Sequence, residues 1–210
     1  MIAKPEPGQE KKPKLLIADN GPISVLSEID GALDWLFKPG CDVWMTDMVL
    51  IEARRRPKPG GRERKAARAS FENWFARNKH LIKVVDTTTG EGFIRNMTLW
   101  EMAGRPEGYE PNTANLGEAS VLSKLEAIRE TVADQTAVVL MDDRNGRAAA
   151  KALQLNIDLM GTQTFISWMA EDFKVKEAEN AWVTLQAILG KELDHGEEDD
   201  PVYVRNYGMS

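Results

Sequence analysis

Aspartates follow two apolar segments of the sequence, and both segments predict buried strands. Asp19 comes directly after residues 14–18, and the adjacent pair Asp142 and Asp143 comes after residues 137–141. The carboxyl ends of parallel strands meet at one edge of a sheet, where α/β proteins form their sites. An aspartate in this place also commonly caps the next helix. Taken singly, each aspartate is therefore explained equally well by chemistry and by capping.

Clustered carboxylates favour one kind of chemistry. Crowded acids raise one another's pKa unless a cation neutralises them. A bound divalent ion can lower the pKa of a water and stabilise charge on a phosphate. The single cysteine, Cys41, and the two distant histidines, His80 and His195, cannot assemble a zinc site. Oxygen ligands instead favour Mg²⁺ or Mn²⁺.

The charge of the chain is unevenly distributed. Its net charge is −6, but residues 54–68 hold eight basic residues against one acid, Glu63, while residues 191–200 hold six acids. Such runs are often a solvated helix face and a disordered tail. A basic run can also bind a phosphate backbone, and composition does not separate the two interpretations. The candidate RNA-binding residues are Arg54, Arg55, Arg56, Lys58, Arg62, Arg64, Lys65 and Arg68.

The elements that must position these residues alternate along the chain. Short apolar runs predict strands at 14–18, 43–45, 81–85, 137–141 and 157–160, and apolar residues at helical spacing predict helices between them. These helices include 23–36, 66–75, 117–132, 147–155 and 178–189. Residues 86–116 predict an irregular insertion or lid with one short helix near 98–103. The pattern predicts a three-layer α/β/α fold with a central parallel sheet.

The ends of the chain differ in composition from its middle. Residues 1–13 predict a flexible leader, residues 14–190 one domain, and residues 191–210 an acidic tail. The leader has no apolar region of the kind found in secretory signals. No apolar run approaches the roughly 20 residues that span a bilayer. We therefore expect a cytoplasmic protein with no membrane partner.

Four blocks of sequence, in this order, resemble the PIN-domain family and within it the VapC-type toxins and their relatives. The first is LLIADNGPIS at 15–24, followed by LDWL at 33–36, and the second is VWMTDMVLIE at 43–52. LGEA at 116–119 resembles a turn in one branch of the family. VLMDDRNGRA at 139–148, with GT at 161–162, resembles the family's Asp-Asp motif and Gly-Thr turn. Together the blocks cover most of residues 14–190.

The resemblance implies a PIN-like nuclease domain with acids clustered around Mg²⁺ or Mn²⁺. It implies Asp19 and Asp143 as direct metal ligands, and Glu52 and Glu118 as ligands or as groups that orient water. Asp142 is an alternative ligand, because the adjacent pair can be aligned on the family's acid either way. The catalytic residues would be Asp19, Glu52, Glu118 and Asp143, and the metal residues Asp19, Glu118, Asp142 and Asp143.

The function that the resemblance implies is a divalent-metal-dependent endoribonuclease. Its implied partners are an RNA substrate, an antitoxin protein that neutralises it as a toxin, and a second copy in a homodimer. The alternative is a catalytically inactive PIN-like module that serves as a scaffold or binds RNA. A receiver-like or phosphatase-like domain would require a lysine after one of its last strands. The segment after Met160 is Gly-Thr-Gln, which offers none.

Overall fold

The computed structural model describes residues 13–55, 65–133 and 136–190. Residues 1–12 of the predicted leader and the whole predicted acidic tail, 191–210, lie outside the described residues. The fold of the described part is a three-layer α/β/α sandwich around one sheet, as predicted. The strands of that sheet are β1 (Leu15–Ala18), β2 (Asp42–Thr46), β3 (Ile82–Val85), β4 (Ala137–Leu140) and β5 (Ile157–Met160).

The sheet is parallel throughout and has the strand order β3-β2-β1-β4-β5. No helix of the described residues is long and apolar enough to cross a membrane. Two 3₁₀ turns lie at Ala32–Phe37 and Lys176–Ala178. The described helices are α1 (Asn20–Leu26), α2 (Asp47–Arg54), α3 (Lys65–Asn78), α4 (Thr88–Met102), α5 (Leu116–Ala127), α6 (Arg129–Ala133), α7 (Arg144–Ala152), α8 (Thr162–Glu171) and α9 (Ala181–Leu189).

The core is centred on the two middle strands. Every residue of β1 and β4 is buried, and Leu16, Ile17, Val138 and Val139 have no exposed surface. Strands covered on both faces need continuous apolar runs rather than alternation, which explains their sequences. Burying each such side chain contributes about 1.5–3 kcal/mol. The edge strands β3 and β5 are only partly buried.

Two of the predicted elements are wrong in extent. The predicted helix over 23–36 is two pieces, because α1 ends at Leu26 and the chain turns through Gly31, whose φ is +76°, into the 3₁₀ turn. The segment 86–116 is not irregular throughout, because its first half is the 15-residue helix α4. The hydroxyl of Thr87 accepts from the Gly90 amide at 3.0 Å and caps that helix. The short helix predicted near 98–103 is therefore the end of α4, and within this segment residues 86–87 and 103–115 lie outside the helices.

Smaller corrections concern helix boundaries. The predicted helix over 117–132 divides at Ile128 into α5 and α6. The predicted helix over 147–155 begins earlier, at Arg144, because the Asp143 carboxylate accepts from the Gly146 amide at 2.9 Å. This contact is the capping role considered for Asp143. The predicted helix over 178–189 is confirmed only for its later part, which is α9.

Candidate active site

The order in which the chain adds strands to the sheet reverses between β1 and β4, and the acids lie at this place. From β1 the chain adds β2 and β3 on one side, and it later adds β4 and β5 on the other. Such a switch point leaves a crevice at the carboxyl ends of the two central strands. Asp19 follows β1 and Asp142 follows β4, and the Asp19 amide donates to the Leu140 carbonyl at 2.9 Å. The topology therefore sets the two aspartates side by side.

Asp19 is the most buried acid of this cluster. Its side chain is 9% exposed, and no described group hydrogen-bonds to its Oδ1 atom. Burial raises the pKa of Asp19 from 3.8 to about 7; the Asn20 amide opposes this shift, and Glu52, Glu118 and Asp142 add to it. A buried carboxylate with an unpartnered oxygen is costly unless something outside the described chain completes it.

Glu52 shares a small space with Asp19. Helix α2 carries it there, because the Thr46 hydroxyl accepts from the Val49 amide and fixes the start of that helix. Glu52 Oε1 accepts from the Gly117 amide at 2.9 Å. Burial raises the pKa of Glu52, the Gly117 amide and Arg55 lower it, and Glu118 raises it.

Gly117 leaves room for the Glu52 and Asp19 carboxylates because it has no side chain. A Cβ atom there would lie 2.5 Å from Glu52 Oε2 and 3.2 Å from Asp19 Oδ1. Both oxygens therefore face the same space beside the Gly117 backbone. The sequence showed the motif at 116–119 but not this role of its glycine. A glycine at a helix start, directly before a candidate acid, is the signal that points to it.

Glu118 joins the cluster from the first turn of α5. A Cβ atom at Gly146 would lie 2.7 Å from the Glu118 carboxyl carbon, so the Glu118 side chain packs directly against the start of α7. Burial raises the pKa of Glu118, and the nearby charge of Asp143 raises it further. Glu118 therefore lies between the acids of the two central strands and the start of α7.

Helix α5 is held in place by buried hydroxyls. The Thr46 and Ser120 hydroxyls lie 2.6 Å apart, and Ser120 donates to the Gly117 carbonyl at 2.6 Å. Both residues have no exposed surface. A buried hydroxyl pair of this kind costs about 1–3 kcal/mol if one partner is lost. It fixes the end of β2 against the helix that presents Gly117 and Glu118.

The adjacent aspartates point in different directions. Asp142 Oδ1 accepts from the Thr162 amide and Asp142 Oδ2 from the Thr162 hydroxyl, both at 2.7 Å. Asp143 is exposed and caps α7. Asp142 acts electrostatically on Asp19, whereas Asp143 acts on Glu118. The Asp142-Asp143 alternative stays open, because each has an oxygen lone pair left for a ligand.

The basic run is described only in part. Arg56, Lys58, Arg62 and Arg64 lie outside the described residues, as does the side chain of Lys65. The Arg54 guanidinium lies 4.8 Å from the centre of the Phe75 ring. Arg55 donates to the Thr113 hydroxyl and lies 3.3 Å from Glu110 Oε1. Arg68 lines a pocket that Glu52 also lines. Part of the basic run therefore borders the acids.

The donor chemistry of the cluster suits Mg²⁺ or Mn²⁺. All five candidate side chains offer carboxylate oxygens, and Asp19 Oδ1 is a buried acceptor without a described partner. Within the described ranges, no group of three or more acidic, histidine or cysteine side chains could hold a metal ion without other ligands. Mg²⁺ does not require such a cage, because it keeps several waters and uses one or two carboxylates with substrate phosphates.

Comparison of the chain with protein-family models, with curated proteins and with solved structures returned no match. The PIN-like interpretation therefore depends on the sequence motifs alone. The five predicted acids lie near enough to influence one another in a chain: Glu52, Glu118 and Asp142 raise the pKa of Asp19, and Asp143 raises the pKa of Glu118.

Proposed function

We propose that the protein is a divalent-metal-dependent endoribonuclease with a PIN-like domain that hydrolyses phosphodiester bonds of RNA. The observation that carries the proposal is the buried Asp19 oxygen that lacks a described partner, at a sheet switch point beside three further acids, Glu52, Glu118 and Asp142. Without a cation, crowding such charges is unfavourable. The PIN family and the place of such an enzyme in a toxin–antitoxin pair depend on the sequence resemblance.

The proposed division of labour follows from the contacts of each acid. Asp19 Oδ1 would hold Mg²⁺ or Mn²⁺ together with waters and one further carboxylate, for which Glu118, Asp142 and Asp143 are the candidates. When bound, the cation neutralises the carboxylates, lowers the pKa of the attacking water and stabilises charge on the scissile phosphate. The Thr162 amide and hydroxyl fix the orientation of the Asp142 carboxylate, as the outer partners of a metal ligand do.

Glu52 is the proposed group that takes the proton of the attacking water. The Gly117 amide fixes its Oε1 atom, so Oε2 is directed towards the space that it shares with Asp19 Oδ1. Burial raises its pKa above the ordinary value, which strengthens Glu52 as a proton acceptor. Arg55 lies close enough to lower that pKa and to neutralise part of the phosphate charge.

The test is cleavage of a panel of tRNA, rRNA and mRNA by the purified protein in Mn²⁺. We expect cleavage that EDTA abolishes, and we expect Asp19→Asn to lower the rate by about a thousandfold, since losing several kcal/mol of metal stabilisation has that effect. The matched control is Asp47→Asn, which removes the same charge at the same edge of the sheet.

Two outcomes would contradict the proposal in different ways. An intact RNA panel in Mn²⁺ would reject the nuclease and leave the inactive scaffold or RNA-binding module as the better account. Equal cleavage by the wild type and Asp19→Asn would reject Asp19 as part of the active site but would keep the nuclease activity. A loss of cleavage in Asp47→Asn as large as that in Asp19→Asn would show a general effect of charge rather than a specific metal ligand.

A further inference from the structure

A pocket opens directly beside the acids, where α1, α2 and α3 pack together. Its volume is about 170 Å³. An apolar cavity of about 150 Å³ holds a benzene molecule, so this pocket has room for one small group and not for a whole nucleotide. Glu52 and Asn20 line the side of the pocket towards Asp19. Whatever occupies the pocket is therefore next to the group on which the acids act.

The rest of the lining combines apolar side chains, Ile23, Ala53 and Ala67, with the positive charge of Arg55 and Arg68. Ser27 also lines the pocket, but its hydroxyl already donates to the Ile23 carbonyl at 2.7 Å. Phe71 is part of the wall, but only 2% of its surface is exposed, so it offers no open ring face for a nucleobase to stack on. Two guanidinium groups without an accessible aromatic face suit an anion rather than a base.

Arg68 is the cation that most needs an anionic partner. It is half-buried on α3, and within the described ranges it makes no hydrogen bond or ion pair. Arg55 differs, because it already contacts Glu110 and the Thr113 hydroxyl. A partly buried guanidinium loses hydrogen bonds to water. It replaces them only where an acceptor oxygen comes within reach of its N–H groups. A phosphate supplies two acceptor oxygens in the geometry that a guanidinium matches.

We infer that this pocket binds a phosphodiester group of the nucleic-acid substrate, next to the scissile one, with Arg68 as its main charge partner. The inference depends on the proposed nuclease function and adds the site that sets the position of the RNA backbone. It also separates Arg68 from the rest of the basic run. Arg68 fixes the register of the strand, whereas the other basic residues of the run would supply attraction that does not depend on position.

The experiment measures binding of a short single-stranded RNA by fluorescence anisotropy in EDTA, so that no cleavage interferes. We expect Arg68→Gln to weaken binding about ten- to a hundredfold, which is the value of a charge-assisted hydrogen bond. Arg68→Lys should recover part of the loss, because it keeps the charge without the fork. Arg77→Gln, at an exposed residue in the last turn of the same helix, is the matched control and should change binding little.

The position of the phosphate is found by replacing one phosphate at a time with a neutral methylphosphonate. At one position, fixed relative to the cleavage site, the replacement should weaken binding by the wild type but not by Arg68→Gln. Circular dichroism melts of the same variants check that each is folded. If Arg68→Gln is unfolded, the comparison of Arg68→Lys with the wild type at that position is used instead.

Three results would overturn the inference. Equal binding by Arg68→Gln, Arg77→Gln and wild type would show that the pocket holds no phosphate. If each methylphosphonate weakened binding by the wild type to the same extent, whatever its position, Arg68 would be part of the non-specific attraction. A wild type that cleaves RNA in Mn²⁺ but does not bind it in EDTA would reject the pocket alone, whereas absence of both activities would reject the nuclease as well.

Discussion

Asp19 and Asp47 occupy the same kind of place but have opposite environments. Asp19 follows β1 and Asp47 follows β2, so both lie at the carboxyl edge of the sheet. The Asp47 carboxylate accepts from the Met48 amide at 2.8 Å, and from the Thr87 hydroxyl and amide at 2.8 and 3.0 Å. One oxygen of Asp19 has no described partner.

The difference separates a structural acid from a candidate functional one. The contacts of Asp47 join the start of α2 to the cap of α4, so its hydrogen bonds account for its presence. Nothing in the described fold accounts in this way for the buried oxygen of Asp19. Position at the end of a strand is therefore a weaker guide to function than an unsatisfied, buried acceptor in that position.

The largest effect on stability is expected from the charge of Asp19 in the metal-free protein. Its pKa is about 7 in the folded state and 3.8 ordinarily, so between these values the folded protein holds a proton that the unfolded chain has lost. The folded state therefore loses stability as the pH rises through this window. Asp19→Asn removes the effect, on the order of a few kcal/mol.

Denaturant unfolding of the wild type and Asp19→Asn at pH 4.5 and pH 8, in EDTA, measures this difference. The variant should gain stability relative to the wild type at the higher pH. Asp47→Asn should show no such gain and should instead be destabilised, since it disturbs three hydrogen bonds. A stability difference between Asp19→Asn and the wild type that is the same at both pH values would remove the evidence that Asp19 is buried as an uncompensated charge.

A smaller effect is expected where α4 meets Asp47. A Cβ atom at Gly90 would overlap the Asp47 carboxylate, so Gly90→Ala should destabilise the protein by about 1–3 kcal/mol. Gly92 lies in the same helix and has open space around its α-carbon. Gly92→Ala should therefore stabilise the protein by about 0.4–1 kcal/mol.

Thermal or denaturant unfolding of the two glycine variants gives both values, and cleavage assays show whether the Asp47 region serves chemistry. Gly90→Ala should keep its cleavage rate at temperatures at which it remains folded. Equal stability of Gly90→Ala and Gly92→Ala would show that Asp47 does not hold α4. A loss of cleavage in folded Gly90→Ala would assign Asp47 to the active site after all.

The sequence predicted the sheet well because the information is local. Continuous apolar runs specify β1 and β4, and an aspartate directly after each run predicts the acid edge. Only the end of helix α4, near residues 98–103, was predicted, because Gly90 and Gly92 weaken the pattern of its first half and because large apolar residues such as Leu99 and Met102 are exposed. The cap at Thr87 and its contact with Asp47 decide that helix, and these join residues 40 positions apart.

In the site, too, contacts between residues far apart in sequence could not be predicted. Asp19 could be predicted from its strand, whereas the contact between Glu52 and Gly117 joins residues 65 positions apart and has no local signal. The adjacent Asp142 and Asp143 have equivalent surroundings in sequence. Only the tertiary contact with Thr162 and the cap of α7 distinguish their directions.

Calorimetric titration with Mn²⁺ tests the central claim most directly, because it asks whether the unpartnered oxygen of Asp19 binds a cation. The wild type and Asp47→Asn should bind Mn²⁺ with similar affinity, and Asp19→Asn should bind at least about tenfold more weakly. Equal Mn²⁺ affinity of all three proteins would contradict the account, since the buried carboxylate would then serve no metal.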